Sequence, residues 1–234
     1  MNHLLKKKWL FVITFLLGSL DLFSQDRNIH GLLIVSDLHV LKEQIQQDSN
    51  KQLVEIKKFI PSIELDIKYA TAQNIFYTRF YNQAKAYVRL PVAKALVKVE
   101  KELNEMGLGL KIFDAYRPYT ITCMMFDLLP DTLYMGLPWY GSKHNRGIAL
   151  DLTLIDRVTK KELKMPTPYD ALVYPAHPEF MKLSNEVIAN RELLKATMKK
   201  HGFKVDPMEW WHFNFVSATN FELLDISFEN LQFE

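Results

Sequence analysis

A single cysteine, Cys123, is the whole thiol content of the sequence, so no intrachain disulfide can form and stability must come from a buried core and from whatever the chain binds. Its flanks, ITCMMF, read as a buried helix face, and no basic neighbour in sequence would lower its pKa. Cys123 is therefore expected in the core rather than as a nucleophile. Charge of one sign is lacking too. With 29 basic and 27 acidic residues, a net charge of +2 gives no broad electrostatic reason to expect nucleic acid as a partner. The 48% hydrophobic content excludes a disordered or fibrous chain. At 234 residues it can bury one sizeable core.

Residues 1–24 have a secretory layout: Lys6, Lys7 and Lys8, the apolar run Trp9 to Leu17, then Ser19 and Ser24 before the polar SQDRN. The run falls short of the ~20 residues that span a bilayer. An export signal is expected, with no stable membrane insertion after its removal and a periplasmic destination. Residues 25–58 are polar and mixed, and form an unassigned leader. Residues 59–234 are expected to form the main domain.

Within that domain, SIELDIKYA alternates Ile63, Leu65 and Ile67 with Glu64, Asp66 and Lys68, the period of a half-buried strand. Pro91 opens a helix with Val92, Ala95, Leu96, Val99, Leu103 and Met106 on one side, and Gly107 ends it. LGLKIFDA returns as a strand that Pro118 breaks, and a second helix runs from Pro118 to Phe126. IALDLTL is a strand with Asp151 projecting from its small-residue face. A helix from Ser184 to His201, stopped by Gly202, leads to the strand HFNFV. The order predicts an α+β fold: a single compact domain with a central, mostly antiparallel sheet and flanking helices.

Two short stretches hold the candidate chemistry. SKHNRGIALDLTL carries His144 and Asp151, and EWWHF carries Glu209 and His212. Two imidazoles and one carboxylate are a common set for a catalytic zinc ion, and a nearby carboxylate is what metal-assisted hydrolysis needs as a proton carrier. Taken singly, each residue is ordinary: a loop histidine, a turn acid, a half-buried strand histidine. Jointly they are not, because an aspartate inside so apolar a strand costs several kcal/mol, of order ~2–7, unless it is paired or bound to an ion. An unbroken strand would put His144 and Asp151 on opposite faces, and Gly147 between them permits the bend that brings them together. Pro207 and the Trp210–Trp211 pair place Glu209 in the turn before the last strand, outside the ligand set.

At these residues the sequence resembles the D-alanyl-D-alanine dipeptidases, the VanX-type branch of a zinc peptidase group that also includes cell-wall D,D-carboxypeptidases and the hedgehog signalling domain. The ordered series KYAT, AYVRLPVAKAL, DAYRP, SKHNRGIALDLTL, MPTPYDAL and EWWHF carries the resemblance over most of residues 60–216. It implies one zinc ion per chain, at the sheet, held by His144, Asp151 and His212, with Glu209 as general base. It further implies that Arg117 faces the scissile carbonyl and that Asp170 holds the ammonium of a D-amino-acid-containing dipeptide. Ser142 and Tyr81 match a serine and a tyrosine near the substrate carboxylate. A peptidoglycan D,D- or L,D-carboxypeptidase is the alternative, and an inactive metal-stabilised binding domain a more distant one. Nothing in the sequence fixes an oligomeric state.

Overall fold

The structure, a computed structural model, describes residues 27–216 and 220–231. The expected export signal lies outside the described residues. Five helices are described: α1 (Leu38–Gln47), α2 (Ile56–Phe59), α3 (Leu90–Glu105), α4 (Tyr119–Leu128) and α5 (Asn185–Lys200). The strands are β1 (Ile34–Val35), β2 (Leu53–Glu55), β3 (Glu64–Leu65), β4 (Tyr87–Arg89), β5 (Leu108–Asp114), β6 (Ala149–Asp156), β7 (Phe203–Val205), β8 (His212–Phe215) and β9 (Leu223–Leu224).

The central sheet runs β3-β5-β6-β8-β7. Only β3 is parallel to its neighbour; the other pairings are antiparallel. The fold is therefore the expected α+β arrangement with a mostly antiparallel sheet. Leu110, Ile112, Leu150, Leu152, Leu154 and Phe213 are fully buried in its core, each contributing roughly 1.5–3 kcal/mol relative to an exposed side chain. Packed against the sheet are α3 and α5.

Local chemistry sets the helix boundaries. Pro91 lies in the first turn of α3, where its missing N–H has no partner to lose, and Gly107, at φ +74°, turns the chain out of the helix. Val92, Ala95, Leu96, Val99 and Leu103 are buried, whereas Met106, placed on the same face by periodicity, is 48% exposed because it lies past the last helical turn. Ser184 caps α5 by accepting from the Val187 N–H, and Gly202, at φ +91°, follows its end. The SIELDIKYA strand is shorter than expected. It keeps ladder geometry only at Glu64–Leu65 and tightens into a 3₁₀ turn at Lys68–Ala70, where the Tyr69 carbonyl accepts from both the Phe80 and Tyr81 N–H groups.

Residues 27–58, unassigned from the sequence, are built into the same core. β1 pairs with β9, β2 pairs with β4, and Leu41, Leu53 and Ile56 are buried. Cys123 is half-buried on α4 rather than enclosed, and burial raises its thiol pKa.

Candidate active site

Three neighbouring strands build the floor of the site. In register, Asp114 on β5 stands opposite Asp151 on β6, and Asp151 stands opposite His212 on β8. Directly paired residues share a face, so two carboxylates and an imidazole fall in one row. Asn214, two residues beyond His212, lies on the same face and accepts from His212 Nε2 at 3.1 Å.

His144 reaches this row from a 3₁₀ turn, His144–Arg146, that Gly147 closes at φ +69°. The turn is held from outside by Arg89, whose buried guanidinium donates to the Arg146 carbonyl at 2.9 Å and to the Lys51 carbonyl. The Gly147 carbonyl in turn accepts from the Arg89 N–H. A Cβ at Gly147 would lie 2.8 Å from Leu53 Cδ2 in a left-handed conformation. Gly147→Ala is expected to lose about 1–2 kcal/mol from the backbone alone and to weaken zinc retention by displacing His144. Thermal unfolding with and without zinc checks this; an unchanged Tm would show that the turn relaxes freely.

The three candidate ligands converge. His144 Nε2 lies 3.4 Å, and His212 Nδ1 3.1 Å, from Asp151 Oδ1, and the two ring nitrogens are 3.2 Å apart. The opposite ring nitrogens settle the protons. His144 Nδ1 donates to the Ala115 carbonyl at 2.6 Å and His212 Nε2 donates to Asn214 Oδ1. In the neutral rings both inward nitrogens therefore present lone pairs. Asp151 Oδ1 is buried and has no hydrogen-bond partner. Three electron pairs aimed at one point repel unless a cation stands between them, and two nitrogens with one oxygen are the donor set that suits zinc. Without a metal, the same crowding favours a proton. Burial opposes charge on His212, but Asp151 and then Glu209 outweigh it and push the imidazole up to about 9. Burial likewise works against the Asp151 charge, yet the two histidines hold its carboxyl well below the usual carboxylate range.

Around this trio lies a cleft of about 450 Å³, within the ~300–1,000 Å³ of small-molecule sites. Glu209, Arg117, Asp170 and Ser142 line it with the three candidate ligands. Glu209 sits in the turn before β8, with Oε2 3.7 Å from His212 Nδ1. Burial, with the charges of Asp151 and Asp170, pushes its carboxyl up to about 8 against the pull of His212. Arg117 donates from Nε and Nη2 to Asp114 Oδ2 at 3.0 and 2.8 Å. Its charge lies over the Tyr69 ring, 5.2 Å from the centroid.

Asp170 is buried, adopts φ +59°, and accepts from the Tyr69 hydroxyl at 2.8 Å. Burial, then the Asp151 charge, pushes its carboxyl up to about 7. A strained, buried acid facing a cleft is costly to keep without a positive partner. The Ser142 oxygen accepts from the Asn145 N–H at 3.2 Å, leaving its own proton to donate.

Tyr81 departs from expectation. It is not among the residues lining this cleft; its buried hydroxyl donates to Asp114 Oδ1 at 2.9 Å. The buried tyrosine that lines the cleft is Tyr69 of KYAT, and the less buried Tyr134 and Tyr140 line it too. Sequence reasoning also missed Asp114, which joins Tyr81 to Arg117; its signal was an acid three residues before an arginine in DAYRP.

An α+β sheet that brings two imidazoles, one orphaned carboxylate oxygen and an adjacent free carboxylate into a cleft defines a metal-dependent hydrolase. Comparison narrows the class, because the family model described as D-ala-D-ala dipeptidase, Peptidase_M15, matches residues 49–232, and the chain belongs to that family. It is similar to the D-alanyl-D-alanine dipeptidase of Escherichia coli (strain K12), with 35% identity over 173 residues, covering 74% of this chain and 89% of that protein. The D-alanyl-D-alanine dipeptidase of Enterococcus faecium is 26% identical over 178 residues, covering 68% and 88%. The chain is thus a zinc metallopeptidase.

Proposed function

We propose that this enzyme hydrolyses D-alanyl-D-alanine and related dipeptides with a free amino terminus, in cell-wall peptide metabolism. One observation carries the reading beyond metal-dependent hydrolysis: the buried carboxylate of Asp170 shares the cleft with the His144–Asp151–His212 trio. A carboxylate so placed pairs with a substrate ammonium, and the names of the relatives supply the matching substrate.

Bound zinc, held by His144, Asp151 and His212, supplies Lewis acidity that polarises a carbonyl and makes water nucleophilic near neutral pH. The chain's own residues do the rest. Asp170 fixes the ammonium and the Ser142 hydroxyl donates to the terminal carboxylate, so the dipeptide is gripped at both ends. Arg117, kept rigid by Asp114, stabilises negative charge as it grows on the carbonyl oxygen, a contribution of about 3 kcal/mol for one donor. Its carboxyl drawn down from about 8 by the positive charge of an ion held beside it, Glu209 accepts a proton from the attacking water, whose oxygen bonds to the carbonyl carbon. The carbon–nitrogen bond then breaks, and Glu209 returns the proton to the leaving amine.

We also propose export to the periplasm. The support is the layout of residues 1–24, three lysines followed by a short apolar run and small residues.

Free and amino-acetylated D-Ala-D-Ala separate this reading from a carboxypeptidase. The blocked substrate leaves Asp170 buried without its counter-charge, a cost of about 3 kcal/mol or more, so its kcat/KM is expected to fall at least about a hundredfold. Equal cleavage of both forms would overturn the dipeptidase reading in favour of a peptidoglycan carboxypeptidase.

A further inference from the structure

Tyr169, next to Asp170, takes no part in the steps above, yet its hydroxyl touches a metal ligand. The ring is wedged between aromatic neighbours: it stacks on Phe113, with centroids 4.7 Å apart and planes at 29°, and meets Trp211 edge-on at 5.5 Å. That packing leaves the hydroxyl one direction, and it donates to Asp151 Oδ2 at 2.9 Å. The two oxygens of Asp151 are thereby distinguished. Oδ2 accepts from Tyr169, while Oδ1 has no hydrogen bond and faces the two histidine nitrogens.

A carboxylate turning freely about its Cβ–Cγ bond would exchange these oxygens, or offer both, and would lose orientational entropy on binding a metal. The tyrosine bond removes that freedom before the ion arrives. The contact also continues outward. Tyr169 lies 3.3 Å from the Tyr69 hydroxyl, which donates to Asp170, so polar groups run unbroken from the candidate ligand to the ammonium end of the cleft.

We propose that Tyr169 is a positioning residue that locks Asp151 with a single oxygen turned to the metal. The proposal rests on reading His144, Asp151 and His212 as the zinc ligands. Hydrogen bonds behind a metal ligand are worth about 10–100-fold in metal affinity.

The test is competition for zinc ion alone against a chromophoric chelator, using the full chain and its Tyr169→Phe and Tyr69→Phe variants. Tyr169→Phe keeps the ring packing and deletes only the hydroxyl. Its zinc affinity is expected to fall about tenfold or more, beside the modest drop in zinc-free Tm that one buried acceptor without its donor brings. Tyr69→Phe leaves the Tyr169–Asp151 bond intact, so its zinc affinity is expected to stay within about twofold, with the loss appearing as a higher KM for the dipeptide. Wild-type affinity in Tyr169→Phe overturns the proposal. An equal fall in both variants overturns it as well, because a general disturbance of the cleft would then be the cause. Tight zinc binding by the wild type in the same assay preserves the metal-site reading in each of these cases; failure of the wild type to bind zinc overturns both.

Discussion

Glu209→Gln is expected to keep a full complement of zinc and to lose turnover by about 10²–10⁴-fold, the range for removing a positioned general acid–base. The replacement preserves shape and hydrogen-bonding capacity but cannot take a proton at neutral pH. Glu209 is close to the metal trio without belonging to it: Oε2 lies 3.7 Å from His212 Nδ1, whereas the three converging atoms lie 3.1–3.4 Å from one another. Its position in the turn ahead of β8, rather than on the strand, creates that offset. In the proposed mechanism Asp170 and Ser142 grip the substrate, so the loss should fall on kcat and leave KM nearly unchanged. Metal analysis beside steady-state kinetics on D-Ala-D-Ala checks both halves. A metal-free Glu209→Gln protein would show that this carboxylate is a ligand, and the assignment of base and ligand would have to be exchanged.

What the sequence made legible was local. The ends of α3 and α5 follow from Pro91, Gly107, Ser184 and Gly202, whose backbone preferences act within one turn. Gly147 foretold the bend between His144 and Asp151, and period two in HFNFV placed Asn214 beside His212. Register was not legible, since it depends on pairing between segments far apart in the chain. The Asp114–Asp151–His212 row therefore emerged only with the sheet, and with it the role of Asp114. Two aspartates side by side on paired strands would repel; here each charge has its own answer, Arg117 for one and the histidine pair for the other. The same reason explains residues 27–58. Strands of two or three residues have no periodic signal, and β1 and β2 exist because β9 and β4 complete them. Tyr69 and Tyr81 could not be told apart by order along the chain, because both are buried and packed edge to face at 6.1 Å. Only one faces the cleft.

His144→Ala is expected to abolish zinc-dependent activity and to remove the rise in Tm that zinc is expected to give the wild-type protein. Metal that binds the folded state and not the unfolded one stabilises by mass action, about 2.7 kcal/mol when free zinc is a hundred times the dissociation constant. Loss of the ligand removes that linkage. A second loss belongs to the zinc-free fold: His144 is 3% exposed and its ring donates to the Ala115 carbonyl, so truncation leaves a void and an unpaired acceptor. The unpaired acceptor alone costs about 1–3 kcal/mol. Calorimetry with and without zinc separates the two, because the structural loss appears in both scans and the linkage loss only with metal. The contrast with Glu209→Gln then becomes decisive. Both residues are within 4 Å of His212 Nδ1, so a general disturbance of the cleft would affect zinc and turnover alike in the two variants. Convergence of His144, Asp151 and His212 on one ion requires instead that His144→Ala lose metal and Glu209→Gln retain it. A His144→Ala protein that still gains its full zinc-dependent Tm shift would remove His144 from the ligand set.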